Sequence, residues 1–180
     1  MKLSALNTYP RVWNSTMENK IKEKNGEHPF GDAGQLILLG LFLVVWVVDS
    51  FFLHKSTVLS NYLPLYVRLV VLVLTFIIAI LLFRSGHVVV SREKRPNRVV
   101  ETGAFRYVRH PLYLAGILSY LGLTVSTASL FCLALLVGIC IFYDYIADYE
   151  EKLLETKYGE EYKKYKQKTG KWMPKIRTGL

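Results

Sequence analysis

The chain has 180 residues, enough for one domain, and 52% of them are hydrophobic, a larger share than in an ordinary soluble domain. This composition excludes disordered, collagen-like and disulfide-rich proteins, and the two cysteines, Cys132 and Cys140, lie within one apolar run. The formal net charge is +9. Such a charge suits either a nucleic-acid-binding protein or a protein at an anionic membrane surface, and the positions of the basic residues decide between the two.

Apolar stretches long enough for membrane helices follow a polar N-terminal segment. Residues 35–53 and 62–83 each match the roughly 20 residues that a helix needs to cross the hydrocarbon core. The next apolar block is too long for one span, so we predict a helical hairpin, Leu112–Val125 and Leu130–Ala147, whose second helix continues past the membrane surface. The sequence therefore predicts an all-α polytopic membrane protein with four transmembrane helices.

Three parts of the chain follow from this division: residues 1–34, a cytoplasmic N-terminal segment; residues 35–83, transmembrane helices 1 and 2; and residues 84–180, which contain the hairpin 112–147 and a C-terminal helix. Because the first part begins with some thirty polar residues, we expect it to contain no cleavable signal. Within it, Tyr9, Trp13, Met17 and Ile21 recur every four residues. That spacing fits a helix at the cytoplasmic interface, and a loosely ordered tail explains it equally well.

Lysine and arginine lie almost entirely on one side of the predicted spans. Five precede the first span, seven lie in the loop 84–111 and nine follow Ala147, whereas the loop between the first two spans has only Lys55. The positive-inside rule then places both termini in the cytoplasm. The basic charge is thus a topology signal, and we expect no nucleic-acid partner.

Two charged residues lie within the predicted spans, Asp49 and Arg68. Ionisable groups inside a membrane often mark a functional site. Both residues, however, lie near the outer end, far from the basic loops. We therefore predict a structural role, by snorkelling or by a mutual ion pair between Asp49 and Arg68.

The loop before the hairpin has the composition of an anion site. His110 precedes Pro111, which suits the first position of a helix, so Arg109 and His110 lie at a helix N-terminus. Unsatisfied N–H groups and the helix dipole favour a carboxylate or phosphate there. The alternative is that Arg106 and Arg109 only anchor the loop to lipid headgroups.

The last apolar helix ends in acidic and aromatic residues. Asp144, Asp148, Glu151 and Glu155 share one helical face, and six of the twelve tyrosines lie between positions 143 and 165. Two interpretations of this face are open. It is a cation-binding surface, or it is a solvated surface whose acids pair with Lys152, Lys157 and the tail lysines. With the anion site, it would enclose a small zwitterion, such as an amino acid headgroup attached to a sulfonium.

Other chemistries lack their motifs. The sequence has no G-x-G-x-x-G, P-loop or G-x-S-x-G motif. Its four histidines have no metal-ligand spacing, so we expect no metal site.

Three segments carry a family resemblance: VVETGAFRYVRHPLY (99–113), EEKLLETKYGEEYKKY (150–165) and KWMPKI (171–176). In this order they resemble the integral-membrane methyltransferases, which comprise the isoprenylcysteine carboxyl methyltransferases and the phospholipid N-methyltransferases. The resemblance covers residues 97–176. It implies a helical membrane enzyme that binds S-adenosylmethionine (SAM) at the cytoplasmic surface without a Rossmann fold, releases S-adenosylhomocysteine, and takes a lipid or isoprenoid substrate from the bilayer.

The resemblance, together with the anion argument for Arg109, also predicts the cofactor-binding residues, in the loop, at the start of the third span and at the glutamate pair. They are Asn97, Arg98, Val99, Val100, Phe105, Arg109, His110, Pro111, Leu112, Tyr113, Glu150 and Glu151. The helix start would lie near the SAM carboxylate and the glutamates near its ammonium or ribose. Asn97 departs from the family, which often has histidine there.

A second departure concerns the methyl acceptor. Carboxyl methyltransferases of the family carry an arginine about one turn before the glutamates, where this chain has Ile146 and Ala147. Asp144 and Asp148 are predicted to face the substrate, with Asp148 a candidate to accept a proton or stabilise an ammonium. This favours a lipid amine or a thiol over an isoprenoid or prenyl-cysteine carboxylate.

The sequence leaves two alternatives open, a phosphatidylethanolamine N-methyltransferase and a non-catalytic lipid-binding membrane scaffold. We expect the inner membrane of a bacterium or archaeon, or the endoplasmic reticulum of a eukaryote.

Overall fold

A computed structural model of the protein describes residues 31–92 and 98–175. These ranges contain five α-helices and no strand, so the predicted all-α fold is confirmed. The helices are α1 (Gly31–Val47), α2 (Leu65–Arg92), α3 (Pro111–Thr127), α4 (Leu130–Tyr158) and α5 (Glu160–Lys168). The predicted interfacial helix with Tyr9, Trp13, Met17 and Ile21 lies outside the described residues, as does Asn97.

Three helical segments are long and apolar enough to cross a membrane. They are Gly31–Leu53, in which α1 continues as a π-helical turn (Val48–Leu53), Leu65–Val88 and Leu130–Tyr158. Large apolar side chains such as Leu36, Ile37 and Phe52 are more than two-thirds exposed, which is expected only where lipid covers them. The chain is therefore an integral membrane protein. Because α3 has only 17 residues, the four-span topology stays a prediction.

Helices α2 and α3 pack closely through small residues. A side chain at Gly122 would collide with the Thr75 hydroxyl, and one at Gly86 would meet Leu112 at 3.0 Å. Small residues allow helix backbones to approach within a membrane, where dispersion replaces the hydrophobic effect as the main attraction. The Gly86 contact holds the start of α3 against α2.

Two helices extend further than the apolar pattern alone indicates. Helix α2 continues to Arg92, so the prediction of a loop from residue 84 was wrong. No proline lies between Leu65, the first residue of α2, and Pro96, and a helix tolerates polar residues where it leaves the membrane. The predicted continuation of the last apolar helix past Ala147 is confirmed, and α4 ends at Gly159, whose φ of 56° few other residues adopt easily.

The charges inside the spans have separate partners, near the start of α4 and the end of α3. Asp49 is buried and accepts hydrogen bonds from the backbone N–H of Ser56 (3.1 Å), the Ser56 hydroxyl and the Ser129 hydroxyl (2.6 Å). Arg68 donates through Nη1 to the Ser126 carbonyl at 3.0 Å. The predicted Asp49–Arg68 pair is therefore wrong. Nearby hydroxyls already satisfy the carboxylate, and the last turn of α3 offers the arginine a carbonyl without a helical partner.

Candidate functional site

The start of α3 directs His110 toward α4. Pro111 is the first residue of the helix, and His110, just before it, makes no capping hydrogen bond with its side chain. Its Nε2 instead lies 3.2 Å from Glu151 Oε1. A carboxylate only accepts, so Nε2 carries the hydrogen. Burial lowers the pKa of His110, although Glu151 opposes that shift, and the ring is neutral at pH 7.

Arg109 holds the same carboxylate. Its Nε donates to Glu151 Oε1 across 2.8 Å, and only about a tenth of its side chain is exposed. Its Nη1 donates to the Thr169 carbonyl (2.7 Å) and its backbone N–H to the Gly170 carbonyl (2.9 Å). The predicted anion partner of Arg109 is thus a glutamate of the same chain, and the hydrogen bonds of its guanidinium go to Glu151 and to the backbone after α5.

Glu150 has different partners from its neighbour. The Tyr113 hydroxyl donates to Glu150 Oε1 at 2.5 Å, and the other oxygen lies 3.9 Å from His110 Nδ1. The Tyr113 ring is parallel to that of His110, with centroids 5.6 Å apart, and it stacks on Tyr143 at 5.3 Å. Glu150 therefore sits among aromatic side chains at the start of α3, while Glu151 is held by basic ones.

The chain after α5 folds back over this region, and we call Thr169–Trp172 the C-terminal strap. Lys171 Nζ lies 2.5 Å from Asp144 Oδ1 and 2.8 Å from Asp148 Oδ1. The Trp172 indole N–H donates to Asp144 at 2.9 Å, and its ring centroid lies 5.7 Å from that of His110. These contacts attach the strap to α4 beside the glutamates.

Tail cations neutralise the acidic face of α4. Besides the Lys171 contacts, Lys166 Nζ lies 3.0 Å from Glu151 Oε2 and 2.6 Å from Glu155 Oε1. The carboxylates raise the pKa of both lysines despite the opposing effect of burial. Of the two interpretations of this face, the geometry therefore supports pairing with the tail lysines. Asp148 binds Lys171, and a substrate-facing role for Asp144 and Asp148 stays a prediction.

The remaining predicted cofactor residues lie in two places. The Val99 N–H donates to Glu161 Oε1 (3.0 Å), and the Phe105 carbonyl accepts from the Tyr165 hydroxyl (2.6 Å), so both attach the loop to α5. Pro111 is buried and Leu112 lies against Gly86 of α2. Arg98 is exposed and Val100 half-buried. The structure brings Arg109, His110, Tyr113, Glu150 and Glu151 together, and we call these five the glutamate cluster.

Residue-by-residue reasoning missed the strap. Lys171 and Trp172 lie in a segment that resembles the family, and Lys166 lies among the tail lysines, but the sequence predicted no specific contact for any of the three. A tryptophan among basic residues just after a helix is the signal that could have singled them out, because an isolated tryptophan on a charged tail needs an apolar surface to cover it.

This arrangement can hold a small zwitterion with an apolar cationic centre. The first turn of α3 presents backbone N–H groups without carbonyl partners inside the helix, which suit a carboxylate. Glu150 supplies a negative charge close by, and the Tyr113 ring beside it stacks on Tyr143. The neutral imidazole of His110 adds no competing positive charge.

Comparison with known proteins gives two matches. The model of the phospholipid methyltransferase family matches residues 65–161, more than half of the chain and all of α2, α3 and α4 up to the turn into α5. Methanethiol S-methyltransferase 1 of Bradyrhizobium diazoefficiens is 34% identical over 85 residues, which cover 47% of this chain and 29% of that protein. The chain thus matches less than a third of that relative's length.

Proposed function

The chain belongs to the phospholipid methyltransferase family, and from this we propose that it transfers a methyl group from SAM to an acceptor dissolved in the membrane. The family assignment agrees with the resemblance of the sequence to the membrane methyltransferases. The observation that carries the proposal is the glutamate cluster at the N-terminus of α3, where Tyr113, His110 and Glu150 meet.

The chemistry of the cluster fits the cofactor. SAM supplies an electrophilic methyl group on a sulfonium, next to an amino acid headgroup. The α3 N-terminus suits the carboxylate of that headgroup and Glu150 its ammonium, while the rings of Tyr113 and Tyr143 suit the sulfonium. His110, neutral and hydrogen-bonded through Nε2, leaves the site without an extra cation.

The chain's own residues contribute mainly alignment and the exclusion of water. Methyl transfer is a direct displacement, so positioning lowers the barrier more than an acid–base pair would. Glu151, held by Arg109 and Lys166, fixes the start of α3 relative to α4. The strap is attached to α4 through Lys171 and Trp172, and the Trp172 ring lies against His110. In this proposal the strap serves to limit access of water.

A thiol or a neutral acceptor fits this proposal better than a carboxylate. Ile146 and Ala147, where the carboxyl methyltransferases have arginine, are fully buried, so they offer no positive charge to an acidic acceptor. Lys171 neutralises Asp144 and Asp148, which weakens the attraction of an amine. The relative named as a methanethiol S-methyltransferase adds support for sulfur as the acceptor atom. A base role for Asp148 requires Lys171 to move away.

The proposed orientation places the cluster, the strap and both termini in the cytoplasm. The support is the distribution of basic residues, of which seven lie in 84–111 and nine after Ala147. Cytoplasmic placement also gives the cluster access to a soluble cofactor, while the acceptor reaches it from the bilayer.

The test is methyl transfer in lipid nanodiscs. The purified chain is incubated with methyl-labelled SAM and, in separate arms, an alkanethiol, phosphatidylethanolamine and a prenyl-cysteine analogue. Glu150→Gln is the active-site variant, and Glu160→Gln, a carboxylate on the exposed start of α5, is the matched control. We expect label in the thiol product from the wild type and Glu160→Gln, and little from Glu150→Gln.

Each arm distinguishes one alternative. Label in phosphatidylethanolamine alone would make the chain a phospholipid N-methyltransferase, and base-labile label in the prenyl-cysteine arm would make it a carboxyl methyltransferase. No transfer in any arm, together with no binding of SAM, would contradict the proposal and leave a lipid-binding scaffold.

A further inference from the structure

A cleft lies outside the glutamate cluster, between a short 3₁₀ turn (Gly103–Arg106) and the C-terminal end of α5. It encloses about 640 Å³, within the range of small-molecule sites. Glu101, Thr102, Arg106, Tyr107, Lys168 and Lys175 line it. We propose that this cleft binds a phosphate-bearing group, either the headgroup of an anionic phospholipid or a soluble phosphate ester.

The charge of the lining supports this ligand class. Three of its side chains are cationic, Arg106, Lys168 and Lys175, and one is acidic, Glu101. Within residues 31–92 and 98–175, Arg106 and Lys168 form no hydrogen bond or ion pair through their side chains. Two unpaired cations that share one concave surface with a single carboxylate favour an anion as the ligand.

One of the three cations is held in place by the backbone. Lys175 Nζ donates to the carbonyls of Lys166 (2.8 Å) and Gln167 (3.0 Å) in the last turn of α5. The ammonium group retains a third N–H for a ligand. Lys175 therefore supplies a fixed charge at one wall, while Arg106 offers the planar guanidinium that binds phosphate oxygens in pairs.

The cleft is distinct from the glutamate cluster but shares structural elements with it. None of the five cluster residues lines the cleft. Tyr165 and Thr169 line it, however, and their polar atoms hold Phe105 and Arg109. A ligand in the cleft would therefore contact residues that position the loop and the strap.

Two sources can supply the phosphate. Tyr107 is 60% exposed next to the cleft, and a tyrosine at such a position suits the headgroup region of a bilayer. Basic pockets on the cytoplasmic side of membrane proteins hold anionic headgroups in the same manner. A soluble phosphate ester would use the same three cations without the membrane.

The experiment compares two double variants of the full chain, Arg106→Gln/Lys168→Gln and Lys152→Gln/Lys164→Gln. Lys152 and Lys164 are exposed and lie outside the cleft, so the control removes the same charge elsewhere. Each protein is extracted from nanodiscs that contain phosphatidylcholine and phosphatidylglycerol, and retained phosphatidylglycerol is counted by native mass spectrometry. In a second arm, glycerol 3-phosphate is titrated into protein in phosphatidylcholine nanodiscs.

We expect the wild type and the control to retain phosphatidylglycerol and the cleft variant to retain about tenfold less, because two cations near the surface are removed. Binding of glycerol 3-phosphate by the wild type and not by the cleft variant, without lipid retention, would assign the cleft to a soluble ester. Equal losses in both double variants, or no binding of either probe, would overturn the proposal. Neither readout depends on methyl transfer, so failure of the proposed function leaves this test unaffected.

Discussion

Arg109 Nε lies 2.8 Å from Glu151 Oε1, and His110 Nε2 shares the same oxygen at 3.2 Å, so two consecutive residues before α3 bind one carboxylate of α4. The side chain of Glu151 is only 4% exposed. A buried charge is tolerated when its partners satisfy it, and removal of one partner leaves the other uncompensated. The Glu151 carboxylate of α4 is therefore the point at which the loop before α3 and helices α4 and α5 are joined.

We predict that Glu151→Gln lowers the free energy of unfolding by about 3–5 kcal/mol, because Arg109 then stays buried without its counter-charge. Thermal unfolding in detergent measures the change. Glu155→Gln is the control, since the Glu155 side chain is a third exposed and pairs with Lys166, which is exposed to the same extent, and it should shift the melting temperature little. Equal shifts for the two variants would contradict the role given to Glu151.

The pH dependence of stability should follow His110. Its pKa in the folded protein is below the ordinary value of 6.5 because burial disfavours the charged ring. The unfolded chain then binds more protons than the folded one just below pH 6.5, so this contribution to stability is complete above pH 6.5 and is lost as the pH falls below it. Between pH 7.5 and 5.5, the melting temperature of the wild type should decrease more than that of His110→Gln. Parallel curves would show that another group is responsible.

Asp49→Ala should lower stability by about 1–3 kcal/mol, since the buried donors of Ser56 and Ser129 lose their acceptor. Methyl transfer per folded molecule should not change, because the Asp49 contacts lie at the opposite end of α4 from Glu150. Activity normalised to the folded fraction, measured by size-exclusion chromatography, checks this. Loss of turnover in the folded fraction would indicate a functional role for Asp49.

The strap should respond to Lys171 in a charge-dependent manner. Lys171→Met leaves Asp144 and Asp148 without their shared cation, which loosens the strap and should lower turnover about tenfold or more through loss of alignment. Lys171→Arg should restore most of it, and Lys164→Met serves as the control. Limited cleavage by chymotrypsin after Trp172, a site that both substitutions leave intact, should be faster only in Lys171→Met. Full turnover in Lys171→Met would show that the strap does not contribute to catalysis.

The part of the fold that follows from hydropathy could be predicted from the sequence, and the part that follows from pairing could not. Apolar runs indicated the helices, and Pro111 marked the start of α3 correctly. The length of α2 was underestimated, because residues 84–87 (RSGH) interrupt the apolar run, and yet residues 84–92 contain no proline that would stop the helix. The Asp49–Arg68 pair was wrong because charge alone does not reveal the hydroxyls and carbonyls that a turn provides.

For the candidate site, the motifs and their order identified the residues. The hydrogen-bond and ion-pair partners of these residues became visible only in the three-dimensional structure. His110, Tyr113, Glu150 and Glu151 were all named, and the structure brings them together. The chain after α5 turns back at Gly170. This turn allows Arg109 to bind Glu151 and Lys171 to neutralise two aspartates. A side chain there would collide with the Met173 carbonyl, a steric requirement that a single sequence does not display.

The most direct test of the central claim is equilibrium binding of SAM to the full chain in nanodiscs, measured by isothermal titration calorimetry for the wild type, Glu150→Gln and Glu160→Gln. Glu150→Gln keeps an oxygen for the Tyr113 hydroxyl and removes only the charge. The account predicts that the wild type and Glu160→Gln bind equally and that Glu150→Gln binds about tenfold more weakly, as expected for the loss of one charge-assisted contact. Equal affinity in all three proteins, or no binding to the wild type, would contradict it.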